Sequence, residues 1–265
     1  MDRDALTERL AGRLAATEGV RGVFLAGSLG AGTGDRWSDV DLVAVVSKGA
    51  SDILKSWPSI LAGEGEVVLH RAMWGRLAIA AYADWTRVDL YLSDEAAFLG
   101  RRAESVRALH DPEGMADRLM PGAEAAPDPE RVAYLIEEYL RVLGLMPVVM
   151  GRGELLTAVD GTHLMKGHLR DLMLEESPVP DRGGALHLSK LLPPEDVATL
   201  EALPFPRPER DAVLGAAQAH WAVFAPRARA LAARLELDWP EALERATRNV
   251  IARELDLHLS PSGQS

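Results

Sequence analysis

The stretch Gly27-Ser28-Leu29-Gly30-Ala31-Gly32-Thr33-Gly34-Asp35-Arg36-Trp37-Ser38-Asp39-Val40-Asp41-Leu42 decides how this chain is read. Ahead of it, Val23, Phe24 and Leu25 form a short apolar run, the pattern of a buried strand ending at Gly27-Ser28. Behind it, the run VDLVAVV is rich in β-branched residues and reads as a second buried strand. A strand that runs into a glycine-rich turn can bring backbone N–H groups close to phosphate oxygens. Asp39 and Asp41 sit two apart at the head of the second strand, so both carboxylates point to one side while Val40 and Leu42 enter the core. With no local Lys to compensate them, the two carboxylates are costly together unless a cation joins them. Mg²⁺, which takes one or two carboxylates plus phosphate oxygens, matches the arrangement.

Around this stretch the N-terminal half alternates helix and strand signals. Leu6, Leu10 and Leu14 recur at four-residue spacing and predict a helix over 3–18; a further helical stretch lies near 50–62. Three more strands are expected, EVVLHRA, RLAIAAYA and RVDLYL, the last two joined as a hairpin across Asp84-Trp85-Thr86. In RVDLYL the aliphatic Val88, Leu90 and Leu92 share one face, which leaves Asp89 on the other, beside Tyr91. If this strand neighbours the one carrying Asp39 and Asp41, three carboxylates converge. Such a triad can hold two metal ions roughly 3.5–4 Å apart and clamp both oxygens of an in-line phosphoryl displacement.

Other glycine-rich and acidic motifs are excluded by spacing. No Gly-Lys-Ser/Thr follows the glycines, so this is not a P-loop, and Gly30, Gly32 and Gly34 alternate without the gap of a dinucleotide fingerprint. An EF-hand would need more oxygen ligands and a closing Glu. The seven histidines show no zinc spacing, and His70 reads as a sheet residue. His110-Asp111 has no following Asn of a kinase catalytic loop, so Asp111 is read as a turn or cap residue. Trp37, Trp74 and Trp85 are read as core or rim packing, a stacking surface being the alternative.

Over residues 110–128 prolines, glycines and charges accumulate, the composition of a connection between units. Helix signals dominate beyond it. Asp128 is a suitable N-cap with Pro129 at the first helical position, and Val132, Leu135, Ile136, Tyr139, Leu140 and Leu143 trace one apolar face. Further helices are expected over 153–175, from Pro208 to Leu235 with a kink at Pro226, and after Asp238 and Pro240. The predicted fold is α+β: a mixed β-sheet domain with helices over 1–115, then a helical bundle domain over 127–258. On the helix after Gly153, His163, Lys166 and Arg170 fall on one face. That stripe is either a docking face for the β- and γ-phosphates, Lys166 foremost and Arg170 next, or a solvated helix face.

Composition narrows the function classes. Apolar residues make up 48% of the 265, enough for a core in each of two domains. A net charge of −11 argues against a nucleic-acid partner, which needs a surplus of Lys and Arg, and suits a neutral or cationic small acceptor. The absence of Cys excludes disulfides, thiolate metal sites and Cys nucleophiles. No apolar run is long enough to cross a membrane and MDRDALTERL lacks an apolar signal core, so a cytoplasmic protein is expected. The polar tail from Ser260 is expected to be disordered.

Gly27-Ser28, the spacer of about ten, Asp39-Val40-Asp41 and the later strand carboxylate Asp89 together resemble the signature of the DNA polymerase β-like nucleotidyltransferase superfamily. The two-part layout is similar to that of the antibiotic nucleotidyltransferases, which adenylylate aminoglycosides or lincosamides. The resemblance implies that Gly27 and Ser28 contact the triphosphate. It also implies that Asp39, Asp41 and Asp89 bind Mg²⁺, two ions being expected, and that Asp89 doubles as general base for the acceptor hydroxyl. It implies transfer of a nucleoside monophosphate, AMP from ATP first of all, to a hydroxylated small molecule, with antibiotic resistance as the setting. Glu137, Glu138, Asp160 and Asp171 are available to meet a cationic acceptor. Protein adenylylation, a non-catalytic nucleotide-binding module and the partner of a toxin pair are the alternatives, the last disfavoured by the long helical half. A homodimer is compatible with the resemblance, since some relatives build their cleft from two chains.

Overall fold

A computed structural model describes residues 1–47, 52–177, 179 and 187–261. The fold is α+β, and the chain divides into two compact units, Met1–Glu124 and Ala125–Ser265. The tail beyond residue 261 and the start of the helix expected near 50 lie outside the described residues.

The first unit is a six-stranded mixed sheet in the order β3-β4-β5-β2-β1-β6, with β1 Val20–Ala26, β2 Val40–Val46, β3 Val67–Met73, β4 Leu77–Tyr82, β5 Arg87–Ser93 and β6 Arg107–His110. Four neighbouring pairs are antiparallel, and only β2 and β5 run parallel. β6 was not foreseen: its four residues lie at the edge of the connecting segment and alternate too briefly for a periodicity to register. The DWT turn does join β4 to β5 as a hairpin, with Trp85 in the left-handed region at φ 62°.

Strand alternation separates the two faces of the sheet. Val23, Leu25, Val40, Leu42, Ala44, Val88 and Leu90 pack with α1 (Arg3–Ala15) and α3 (Ile53–Ala62), whose Leu6, Leu10, Leu14, Trp57 and Leu61 are fully buried. Phe24, Ala26, Val43 and Val45 face the other way into a smaller cluster with Met115, Leu119 and Phe98 of α4 (Glu95–Leu99), and Tyr91 packs against it. Asp111 ties down the chain after β6 by accepting from the N–H groups of Met115 at 2.9 Å and Ala116 at 2.8 Å. It is a turn residue, one of the two roles its sequence context allows, and its carbonyl accepts from Gly114 N.

The second unit is helical: α5 Pro129–Gly144, α6 Met146–Gly151, α7 Leu155–Glu176, α8 Leu188–Leu191, α9 Pro194–Ala202, α10 Arg210–Arg234 and α11 Glu241–Leu255. Asp128 caps α5 by accepting from Glu130 N and Arg131 N, and every residue of its predicted apolar stripe is buried. Tyr139 of that stripe stacks on Phe224 of α10 at a centroid distance of 3.6 Å, and α10 runs through Pro226 as one helix. Arg227, beside that proline, bridges Glu176 of α7 at 2.6 Å and the buried Asp196 of α9 at 2.8 Å, joining three helices.

Candidate active site

The site begins where β1 ends. Gly27–Gly30 form one helical turn (α2), and Gly27 adopts φ +61°, which non-glycine residues rarely adopt. The first N–H groups of any helical turn lack acceptors within the turn. Gly30 answers a packing demand: a Cβ there would lie 2.3 Å from the carbonyl oxygen of Leu25. The rest of the loop is held by short-range bonds. Thr33 N donates to Ser28 O at 2.8 Å, Ser28 Oγ donates to Ser38 Oγ at 2.9 Å, and Ser38 Oγ accepts from Asp35 N at 2.9 Å while donating to Asp35 Oδ1 at 3.3 Å. Ser38 is nearly buried, and its carbonyl accepts from Arg3. The spacing of ten between Ser28 and Ser38 thus has a local cause, because the two hydroxyls close the loop that delivers Asp39 to the head of β2.

The parallel pairing of β2 and β5 puts Asp41 directly opposite Asp89, and Val40 opposite Val88. Neighbouring strands lie about 4.8 Å apart, so facing residues on one side of a sheet are in reach of one another. Asp39, Asp41 and Asp89 each offer a carboxylate oxygen, and the three oxygens lie within 4.8 Å of one another. All three side chains are partly exposed, whereas Val40, Leu42, Val88 and Leu90 are fully buried behind them. The convergence anticipated from the alternation in RVDLYL is therefore present.

The electrostatics show what the cluster costs. Burial, then the charges of Asp39 and Asp89, push the Asp41 carboxyl up to about 6, against the pull of Arg87 and Arg101. Asp89 rises to about 6 as well, by burial first and then the charge of Asp39, with Arg87 opposing. Tyr91, next on the same face of β5, is raised by burial and by all three carboxylates. Such carboxylates lower the free energy of a bound cation and resist being packed without one. Mg²⁺ binds oxygens at about 2.0–2.1 Å and so spans about 4 Å between opposite ligands. The three carboxylate oxygens are close enough together to hold a metal ion. The missing Cβ of Gly27 keeps Asp41 free to turn toward it.

Arg87 was missed on the sequence. Its Nη1 lies 3.5 Å from Asp39 Oδ2 and its Nη2 donates to the carbonyl of Trp37 at 3.3 Å. The signal for it lies in RVD, where period-two alternation puts Arg87 and Asp89 on one strand face.

In the helical unit, Lys166, His163 and Asp160 line one cavity, whereas Arg170, Asp171 and Glu138 are held in ion pairs. Lys166 lies beside a cavity of about 190 Å³ lined also by His163, Phe205 and His220. Its ammonium is 3.6 Å from the centroid of the Phe205 ring and donates to Leu203 O at 3.4 Å, and burial lowers its pKa. Arg170 is instead engaged by Asp171 at 2.6 Å, and Asp171 also takes Arg131 at 2.9 Å. Glu138 is likewise paired, with Arg141 at 2.6 Å. Asp171 and Glu138 thus already hold intrahelical or interhelical partners, while Glu137 is exposed and Asp160 lines the Lys166 cavity.

Of the readings given for the three tryptophans, core packing is excluded. Trp37, Trp74 and Trp85 are not core residues: they are 70%, 78% and 72% exposed. Each sits in a loop or tight turn, and Trp74 and Trp85 have positive φ, so their backbone is set by the turn and the ring is left outside. Trp37 is stacked under Arg36, whose guanidinium is 4.0 Å from its ring centroid.

Among the described residues, no helix is long and apolar enough to cross a membrane. No protein-family model matches the chain, and no curated protein does. Among solved structures, an aminoglycoside 6-adenyltransferase from Bacillus subtilis is similar at 14% identity and a TM-score of 0.44, covering 94% of this chain and 98% of that one. A nucleotidyltransferase-like protein from Exiguobacterium sibiricum is similar at 16% identity and a TM-score of 0.42, covering 96% of this chain and 88% of that one. At such identities and scores the functional reading rests on the residues of the site.

Proposed function

We propose that this chain is a Mg²⁺-dependent nucleotidyltransferase that moves a nucleoside monophosphate, AMP from ATP first of all, onto a hydroxyl of a small-molecule acceptor. The observation that carries the reading is the convergence of Asp39, Asp41 and Asp89 from two parallel neighbouring strands, with ligand oxygens within 4.8 Å, beside the Gly27-Ser28 turn. Asp39, Asp41 and Asp89 would hold the metal, which supplies positive charge to neutralise the phosphate oxygens as the transfer proceeds. Gly27 and Ser28 present N–H groups at the start of a helical turn, the kind of donor that binds phosphate oxygens.

In the proposed reaction the acceptor oxygen forms a bond to the α-phosphorus, the bond to the bridging oxygen breaks, and pyrophosphate leaves. Asp89 takes the hydroxyl proton. Lys166, held at a cavity edge with no carboxylate against it in the described contacts, is the proposed phosphate contact of the helical unit; Arg170 is second to it because Asp171 already engages it. The acidic balance of the chain, −11, favours a cationic acceptor such as an aminoglycoside, with a lincosamide next.

The test is pyrophosphate release from each of the four ribonucleoside triphosphates with Mg²⁺, against a panel of aminoglycosides, lincosamides and other hydroxylated compounds. Acceptor-dependent release that vanishes in Asp39→Asn supports the reading. Release that persists undiminished in Asp39→Asn and in Asp41→Asn sinks it.

A further inference from the structure

The carboxylate cluster is one corner short of being all acidic. Arg87 precedes Asp89 by two residues on β5 and shares its face, and it stands one residue before the paired rung Val40–Val88, level with Asp39. Two successive rungs therefore carry Asp39 with Arg87 and Asp41 with Asp89: three anions and one cation on a single patch of sheet. The guanidinium lies 3.5 Å from Asp39.

The contact is also of a kind that can be given up. A charge-assisted N–H···O bond measures about 2.7–2.9 Å, so the 3.5 Å approach to Asp39 is electrostatic proximity without a fork-to-fork clasp. The Arg87 side chain is 40% exposed and Asp39 30%, and the second anchor is a single carbonyl, that of Trp37. Arginine stays protonated at any working pH, so its charge leaves the cluster only by movement of the side chain.

We propose that Arg87 is the resident counter-ion of the carboxylate cluster, which a divalent cation must displace from Asp39, so that Arg87 sets the metal affinity of the site. The inference rests on reading Asp39, Asp41 and Asp89 as metal ligands. It makes a prediction of opposite sign to that of a structural staple. If Arg87 merely props Asp39 in place, its loss scatters the ligands and weakens the metal. If it is the counter-ion, its loss removes one positive charge from the cluster and the metal binds more tightly.

The experiment is Mn²⁺ titration of the full-length, metal-free protein without nucleotide, followed by calorimetry and by thermal midpoint, for wild type, Arg87→Ala, Arg87→Gln, Arg87→Lys and Asp41→Asn. Removing one unit of charge near a partly exposed pair is expected to tighten Mn²⁺ by about five- to tenfold in Arg87→Ala. The metal-free midpoint of that variant falls and its Mn²⁺-induced rise grows. Arg87→Gln, which keeps a donor for the Trp37 carbonyl, shows the same tightening and serves if the alanine variant folds poorly. Arg87→Lys keeps the charge and stays within about twofold of wild type. Unchanged or weaker Mn²⁺ affinity in both neutral variants overturns the proposal. Wild type that binds Mn²⁺ no better than Asp41→Asn overturns the metal reading itself, and the counter-ion role with it.

Discussion

The carboxylate of Asp41 fills the space that a side chain on Gly27 would need: a Cβ built on Gly27 would stand 2.0 Å from Oδ2 of Asp41 and 2.9 Å from its Cγ. The glycine that ends β1 is therefore matched to the carboxylate on β2, and the register that pairs Ala26 with Asp41 explains why. Gly27→Ala adds this clash to a backbone at φ +61°, a conformation costing about 1–3 kcal/mol for other residues. We expect a lower thermal midpoint and loss of Mn²⁺-induced stabilisation, because Asp41 must swing away. Removing the Asp41 side chain in Gly27→Ala/Asp41→Gly should restore part of the midpoint without restoring metal binding. A Gly27→Ala protein with wild-type Mn²⁺ response would show that the close approach is of no consequence.

Asp41→Asn separates stability from function. Its carboxyl is pushed up to about 6 by burial and by two neighbouring carboxylates, so its charge opposes folding at neutral pH. Neutralising it should raise the midpoint of the metal-free protein by a few degrees, at about 2–4 °C per kcal/mol for a chain of this size. Turnover should fall on the order of a thousandfold or more, as when a group stabilising transition-state charge is removed. Differential scanning calorimetry beside a pyrophosphate assay checks both signs, and a variant both less stable without metal and fully active contradicts the account.

The same shifts predict a pH dependence. Asp41 and Asp89 have folded-state values near 6, above the ordinary Asp value of 3.8. A raised carboxyl pKa means that the folded chain binds protons before the unfolded chain does, so stability rises as pH falls from above 6 toward 4. The metal-free midpoint should therefore gain more between pH 7.5 and 5.5 in wild type than in Asp41→Asn. Over that window Mg²⁺ or Mn²⁺ stabilisation should decline, since protons compete for the same oxygens. Identical pH profiles for the two proteins would rule this out.

Lys166 and Arg170 should part company. Lys166→Gln is expected to raise the KM for the triphosphate about tenfold, the loss of one charge-assisted contact. Arg170→Gln should change it little, because the Arg170 guanidinium is spent on Asp171 at 2.6 Å. Steady-state kinetics at saturating acceptor decides, and equal effects from the two substitutions would count against assigning Lys166 the contact.

In the helical unit, Arg227→Ala should be among the most damaging single changes away from the carboxylates. It strips the buried Asp196 and the partly buried Glu176 of their shared cation. Breaking a buried pair costs about 3–5 kcal/mol; with Arg227 itself 28% exposed we expect about 2–3 kcal/mol, measured by urea unfolding. An Arg227→Ala/Asp196→Asn double variant should recover part of that loss.

Periodicity was enough to locate the elements that carry the site. Strict alternation in RVDLYL put Asp89 on the face opposite Val88 and Leu90, and the β-branched run from Val40 put Asp41 outside Leu42, because burial of one strand face leaves the other no choice. The apolar stripe of α5 and its Asp128 cap were legible for the same local reason. Three things needed tertiary structure. Neighbourhood of β2 and β5 depends on a crossover through α3, β3 and β4, so the facing of Asp41 and Asp89 is a property of sheet order. The close fit of Gly27 depends on an atom brought from the neighbouring strand, Asp41 Oδ2. The exposure of Trp37, Trp74 and Trp85 followed from turns whose backbone angles outweighed the hydrophobic pull on their rings. Local sequence determined which face each side chain takes; only the pairing of distant strands decided which charges meet, because electrostatic partners are set by distance in space and not along the chain.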